Sequence, residues 1–416
     1  MDCIEIEGGV QLHGHVRVGG AKNAALPVMA SVLLTTGETR LRNVPRVRDV
    51  VTFGQVLRAL GANIRFDGAE LIIDTTSIDR FEAPYDLVKT MRASFLVLGP
   101  LLARYGQARV SLPGGCAIGA RPVNLHLKGL QALGARLDLT QGYVQGYANQ
   151  LQGAVIALPS PTVTGTENIM MAAVLAKGTT VIDNAACEPE VVDLAEALMQ
   201  MGARLTGAGS SRIVIEGVPQ LEPVAHDIIP DRIEGGTFLV AAAMTGGDVT
   251  IDNCCPAHLT TLIEHLRAIG AAVEVGDDWV RVIGCERAYP INLVTAPYPS
   301  FPTDMQAQMM ALLTRADGRS IISETVFENR YLHAAELSRM GAEIHLEGAD
   351  AIVMGVPQLH GAPVMATDLR ASASLILAGL VARGITTVSR VYHLDRGYEQ
   401  IEAKLAALGA KIRRLP

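Results

Sequence analysis

Residues 111–126 read Ser-Leu-Pro-Gly-Gly-Cys-Ala-Ile-Gly-Ala-Arg-Pro-Val-Asn-Leu-His. Cys116 stands there among Gly114, Gly115, Gly119 and Pro113, with little apolar side chain to cover its thiol. An inert free thiol normally lies inside an apolar run, and this one does not. The glycines let the backbone approach a ligand and turn its N–H groups towards it. Arg121 adds a planar, permanent cation suited to phosphate or carboxylate. A thiol, an anion cradle and a guanidinium in one loop describe a reactive site for an anionic substrate. A tight turn that carries a free cysteine is the plainer alternative.

The elements that must hold such a loop can be read from a repeat. A hydrophobic residue followed by Gly-Ala recurs at Gly61, Gly134, Gly202, Gly270, Gly341 and Gly409, at steps of 73, 68, 68, 71 and 68 residues. Each copy ends an amphipathic helix, as Leu259, Leu262, Ile263, Leu266 and Ile269 illustrate on one face. Glycine at the C-terminal cap then turns the chain into a short strand. A second helix in each repeat is apolar nearly all round and belongs inside a core: 24–34, 91–103, 168–176, 236–244, 305–313 and 373–382. A glycine and a β-branched strand follow each one, and Pro100 is expected to kink the second.

Charge is placed at the starts of those apolar helices. Lys22, Arg92, Arg232 and Arg370 stand just before or inside the first turn, and Asp304 takes the same place in the fifth repeat. Cations there oppose the helix dipole, so their recurrence points to an anion that arrives at unpaired N–H groups. Solvated surface charge accounts for any one of them more readily than for the repeated placement. Arg121, Arg330 and Arg396 lie in loops after strands and can converge from the same side. Asp304 reads from its position alone as a helix cap, worth about 0.3–1 kcal/mol.

Bulk properties narrow the field. A chain of 416 residues exceeds one ordinary core and predicts two domains. It is 49% hydrophobic and 19% charged, with no low-complexity tract, so it is expected to be globular throughout. The net charge of −7 argues against a nucleic-acid surface. The N-terminus lacks the order of a signal peptide, and no apolar run has the length of a membrane span. The six cysteines show no CxxC pair and no metal spacing. We therefore expect a cytoplasmic protein with no structural metal, no cofactor, no membrane contact and no nucleic-acid partner.

Several long motifs, in order along the chain, carry a resemblance. They are residues 19–24 (Gly-Gly-Ala-Lys-Asn-Ala), the 111–126 loop, residues 295–306 (Thr-Ala-Pro-Tyr-Pro-Ser-Phe-Pro-Thr-Asp-Met-Gln), 327–330 (Phe-Glu-Asn-Arg), 368–370 (Asp-Leu-Arg) and 395–399 (Asp-Arg-Gly-Tyr-Glu). Over essentially its whole length the chain resembles the UDP-N-acetylglucosamine 1-carboxyvinyltransferase family, the enolpyruvyl transferases of peptidoglycan synthesis. The resemblance implies an α/β fold of two similar inside-out α/β barrel domains, built from six repeats of about 70 residues, three per domain. Residues 22–229 would form one domain, with the reactive loop at 111–121. Residues 1–21 and 230–416 would form the other, Pro230 marking the hinge and the active site lying in the cleft between them.

The implied reaction moves the enolpyruvyl group of phosphoenolpyruvate to the 3-hydroxyl of UDP-N-acetylglucosamine and releases phosphate. By resemblance, Asp304 is the base, Cys116 the acid and the thiol that fosfomycin alkylates, and Lys22 a catalytic cation. Lys22, Asn23, Arg121, Arg330, Arg370 and Arg396 would bind phosphoenolpyruvate. Asn23, Arg92, Arg121, Pro122, Val123, Asn124, Leu125, Thr162, Val163, Thr164, Asp304 and Val326 would bind the nucleotide sugar, with Glu188 and Asp231 steadying the closed site. Two positions depart from the family pattern. Asn124 stands where an acid is common, and Ser160 lies where some relatives carry lysine. Transfer to shikimate 3-phosphate, a non-catalytic nucleotide-sugar sensor and RNA end processing are the competing readings.

Overall fold

Glycine punctuates this backbone. Gly61, Gly134, Gly202, Gly270, Gly341 and Gly409 all have φ between 92° and 108°, left-handed values that other residues adopt only at a cost. Each follows a helix that buries one face, such as Thr260–Ala268 with Leu262, Ile263 and Leu266 inward. The computed structural model describes residues 2–89, 91–114 and 123–416.

Among the described residues, six further helices are buried over most of their length. They are α1 (Lys22–Ser31), α2 (Leu98–Tyr105), α3 (Val163–Ala173), α4 (Arg232–Thr245), α5 (Gln306–Leu313) and α6 (Leu369–Val381). All eight residues of α5 are buried. Three of these helices start earlier than their apolar stretches suggest, because side-chain oxygens cap them. Thr162 accepts from Gly165 N, Asp231 from Ile233 N and Glu234 N, and Asp368 from Arg370 N and Ala371 N. Polar residues in the first two turns are satisfied locally: Thr237 Oγ1 donates to Ile233 O at 2.7 Å and Ser372 Oγ to Asp368 O at 2.6 Å.

The kink expected at Pro100 is absent. Arg92–Val97 is a 3₁₀ turn and the α-helix begins only at Leu98. Pro100 therefore sits in a first turn, where its missing N–H has no intrahelical partner to lose. Arg396, expected in a loop, ends a 3₁₀ turn at Val391–Arg396.

Among the described residues, strands form six four-stranded sheets. Each has one parallel pairing at an edge and two antiparallel ones. Val155–Ala157, for example, runs parallel to Thr179–Asp183, which pairs antiparallel with Arg212–Glu216, and that in turn with Arg204–Thr206. One device recurs where a central strand leaves its sheet. Asn43, Asn184 and Asn253 have φ of 55°, 59° and 57°. Their Nδ2 groups donate to Ile228 O, Leu158 O and Val18 O at 2.8, 2.9 and 2.8 Å, just beyond the parallel edge strand of the same sheet. Asparagine tolerates this left-handed conformation and turns it into a lock between two strands.

Two compact units result. Of the described residues, the first comprises 20–89, 91–114 and 123–229; the second joins residues 2–19 to Pro230–Pro416. In the first, α1, α2 and α3 meet in one apolar cluster; in the second, α4, α5 and α6 do so in another. The N-terminal residues supply two strands to the second unit. Cys3–Glu7 lies between Ile385–Ser389 and Lys411–Leu415, and His13–Arg17 edges Asp248–Asp252. Gly20 is required at the start of the first unit, since a Cβ there would lie 1.6 Å from Asn43 O. Among the described residues no helix is long and apolar enough to cross a membrane.

Candidate active site

In the second unit the starts of α5 and α6 bring together three charges that lie far apart in sequence. Asp304, in the 3₁₀ turn Thr303–Met305 before α5, does not cap its helix. Its Oδ1 accepts from Arg330 Nη2 at 2.6 Å and its Oδ2 from Arg370 Nη2 at 2.8 Å. Both arginine side chains are about one-twentieth exposed, at 6% and 5%, while Asp304 keeps 26% of its side chain open. Burial would raise the Asp304 carboxyl, but the Arg370 and Arg330 guanidiniums outweigh it and hold the group well below the usual carboxylate range. Burial likewise presses Arg370 towards neutrality, and Asp304, followed by the charges of Tyr398 and Asp231, raises it above its ordinary value. One carboxylate against two guanidiniums leaves the trio net positive.

A second layer fixes these arginines. Arg330 Nη1 donates to Thr303 Oγ1 at 2.8 Å, and Thr303 Oγ1 donates on to Glu324 Oε2 at 2.8 Å. Glu324 is buried, and its Oε1 accepts from Thr295 Oγ1, Val326 N and Phe327 N at 2.9, 2.9 and 3.1 Å. That carboxylate ties the 295–303 segment to the 324–330 turn. Arg370 lies 5.6 Å from the centre of the Tyr398 ring. The Tyr398 hydroxyl bonds Thr237 Oγ1 at 2.8 Å and accepts from Gln308 Nε2 at 3.3 Å, so α4, α5 and α6 share one buried polar junction.

The first unit shows related architecture. Lys22, the first residue of α1, pairs with Asp49 at 3.1 Å, both nearly buried. Arg92 opens the 3₁₀ turn that leads into α2. Thr162 caps α3, and Thr164 in its first turn bonds His126 Nε2 at 3.2 Å. Buried carboxylates and cations at three helix starts are costly unless they serve a ligand or one another.

A family model described as EPSP synthase (3-phosphoshikimate 1-carboxyvinyltransferase) matches residues 6–405. The chain belongs to the EPSP synthase family. It is 59% identical over 415 residues to the UDP-N-acetylglucosamine 1-carboxyvinyltransferase of Geobacter metallireducens, with both chains fully covered. It is 57% identical over 422 residues to the same-named protein of Myxococcus xanthus, covering 100% of this chain and 99% of that one. Among solved structures, the enolpyruvyl transferase NikO of Streptomyces tendae matches with a TM-score of 0.90 at 29% identity, over 100% of this chain and 99% of that one. An EPSP synthase from Acinetobacter baumannii shares the fold at a TM-score of 0.77 and 20% identity, with both chains fully covered.

Within this EPSP synthase-family fold the residues singled out from sequence divide between the two units. Asp304, Arg330 and Arg370 form one cluster; Val326 hangs its N–H on Glu324 and is itself 37% exposed. Arg396 belongs to the same unit, and Arg232 opens α4 with its guanidinium 5.6 Å from the centre of the Tyr298 ring. Asp231 is the cap of α4 and also acts on Arg370 through its charge. In the other unit Asn23 follows Lys22 in α1, and Glu188 precedes the helix Pro189–Gln200. Val123 is buried ahead of the helix Asn124–Ala132, with Asn124 exposed and Leu125 half-buried. Cys116, Arg121 and Pro122 lie outside the described residues. Asp49, Thr303, Glu324, Tyr398, His126 and Asn168 were not reached from sequence as site residues. Thr303, Tyr398 and His126 lie inside the motifs quoted above, and Glu324 directly follows a β-branched strand.

Proposed function

We propose that this protein transfers the enolpyruvyl group of phosphoenolpyruvate to the 3-hydroxyl of UDP-N-acetylglucosamine, releasing phosphate, the first committed step of peptidoglycan synthesis. The observation that carries this is full-length identity of 59% to a curated UDP-N-acetylglucosamine 1-carboxyvinyltransferase. We read the six sheets as six copies of one unit, three in each of two inside-out α/β barrels, one of residues 22–229 and one of residues 1–21 with 230–416.

Enolpyruvyl transfer needs a base for the acceptor hydroxyl and an acid for the alkene carbon. It also needs cations for a phosphate and a carboxylate. Asp304 is the base in this reading. With both oxygens held by arginine it is a weak one, which gives the arginines a second role. The carboxylate of phosphoenolpyruvate competes for Arg330 and Arg370; as they turn to it, Asp304 loses the charges that depress its proton affinity and becomes able to accept the hydroxyl proton. Arg396 joins them on the carboxylate. Lys22 and Arg121 take the phosphate, Lys22 exchanging part of its pairing with Asp49. Cys116, starting as the thiol, delivers the proton to the alkene carbon, and the thiolate left behind is the form that a cation such as Arg121 stabilises. Asn23, Arg92, Pro122, Val123, Asn124, Leu125, Thr162, Val163, Thr164 and Val326 hold the nucleotide sugar.

Inorganic phosphate release, measured with both substrates and with each omitted, tests the reading. Release is expected only when phosphoenolpyruvate and UDP-N-acetylglucosamine are both present. Release with shikimate 3-phosphate and none with the nucleotide sugar would overturn it.

A further inference from the structure

His126 is buried in the helix Asn124–Ala132, with the Phe95 ring edge-on at 5.4 Å. Burial, and then the charge of Arg92, push its pKa down to about 3, so the imidazole is neutral in ordinary buffers. A neutral imidazole has one N–H and one bare nitrogen, and its neighbours decide which is which. The backbone N–H of Gly99 can only donate, and it donates to Asn168 Oδ1 at 2.7 Å. The carbonyl of Phe95 can only accept, and it accepts from Asn168 Nδ2 at 3.1 Å. These two bonds fix the orientation of the Asn168 amide. The same Nδ2 also faces His126 Nδ1 at 3.1 Å, so that ring nitrogen is the bare one. The proton therefore resides on Nε2, which donates to Thr164 Oγ1 at 3.2 Å.

A hydroxyl that accepts there keeps its own hydrogen for another acceptor, and none among the described residues takes it. Thr164 is half-buried in the first turn of α3, an eleven-residue helix whose N-terminal dipole favours an anion. We propose that His126 and Asn168 are positioning residues that present the Thr164 hydroxyl as a hydrogen-bond donor to the diphosphate of the nucleotide sugar. The inference rests on the reading above that residues 162–164 meet that substrate. It adds a chain of one-way bonds: Gly99 to Asn168, Asn168 to His126, His126 to Thr164, Thr164 to phosphate oxygen.

Steady-state kinetics on the full-length chain, together with NMR of the imidazole, test it. Long-range ¹H–¹⁵N spectra of the unsubstituted protein are expected to show His126 protonated on Nε2; protonation on Nδ1 overturns the chain. Thr164→Val is expected to raise KM for UDP-N-acetylglucosamine about tenfold or more, the usual worth of a hydrogen bond to a charged group, and to leave KM for phosphoenolpyruvate unchanged. Thr164→Ser keeps the hydroxyl and should recover most of the KM that Thr164→Val loses. His126→Gln keeps an N–H near the Nε2 position and should stay within a few-fold, whereas His126→Phe should raise the same KM as Thr164→Val does. In the Thr164→Val background His126→Phe should add nothing, because the donor it positions is already gone. Should the His126 variants fail to fold, the NMR result and the Thr164 pair decide alone. Arg92→Ala separates the two layers of the reading. If it raises KM for the nucleotide sugar and Thr164→Val does not, the relay falls and the site stands. If neither moves it, the site assignment fails and the relay with it.

Discussion

Arg330 and Arg370 hold Asp304 through both its oxygens, and those are the cations that a substrate carboxylate needs. Asp304→Asn keeps the shape and loses the basicity and the charge. We expect kcat to fall about a hundredfold or more, the range of a lost general base, and the two buried guanidiniums left without a counter-charge to lower stability. Phosphoenolpyruvate, which supplies a carboxylate, should then raise the melting temperature of Asp304→Asn more than that of the parent. A rate within a few-fold of the parent would remove Asp304 from the chemistry. Acid titration reads the same pair. Because the folded-state value is depressed, the pairing contributes fully above the unfolded carboxyl value of about 3.9 and is lost as pH falls through the lower folded value. Urea melts below pH 4 should therefore show a steep acid loss of stability in the parent, shallower in Asp304→Asn; equal slopes would show that the pairing is not what titrates. Cys116 adds a third expectation. Intact-mass analysis after fosfomycin should find one adduct on that residue, Cys116→Asp should resist the drug and keep some activity, and Cys116→Ser should lose most of it. Labelling spread over Cys3, Cys187 and Cys285 would remove the assignment.

Elements set those residues by two kinds of information, and only one is local. The Gly-Ala marks, the apolar helices and the glycines that end them follow from periodicity within one segment, so residues 259–271 show their helix and its stop directly. The Pro100 kink failed because nothing local announces that a helix opens as a 3₁₀ turn. Partnerships across segments are invisible in the same way. Asp49 lies 27 residues from Lys22, Asp304 lies 66 from Arg370, and Thr164 lies 38 from His126. Each is an ordinary polar residue until the fold buries it beside its partner, and a motif does not say which residue its members will meet. The left-handed asparagines combine both kinds, since the residue type is a turn signal and the bond is long-range. Asn184→Ala keeps a Cβ in that conformation without the amide that favours it there, and removes the bond to Leu158 O; we expect a loss of about 1–3 kcal/mol in urea denaturation. Asn184→Gly restores the backbone freedom and should lose less. Equal losses would mean that the left-handed turn carries no cost there.

At the scale of the whole molecule the two units differ in how the chain enters them. Residues 20–229 are contiguous and contain a complete apolar cluster, closed when Ala225–Asp227 pairs with Glu38–Arg42. Expressed alone, that segment should melt cooperatively. Residues 230–416 alone lack Cys3–Glu7, the strand between Ile385–Ser389 and Lys411–Leu415, and should not do so until a peptide of residues 2–19 is added. Cooperative melting of 230–416 without the peptide would show that the sheet closes without its inserted strand.

The inserted strand has a consequence for synthesis. Cys3–Glu7 leaves the ribosome about 400 residues before Lys411–Leu415 is made, a wait of about 20–80 s at ordinary elongation rates of about 5–20 residues per second. Ile4 and Ile6, fully buried in the finished fold, spend that time in water. Glu5 and Glu7 alternate with them and keep the waiting segment soluble and unattractive to neighbouring nascent chains. The same two acids later meet Arg413 and Lys411 at 2.5 and 2.7 Å. A strand that must idle is thus protected by the charges that finally select its register.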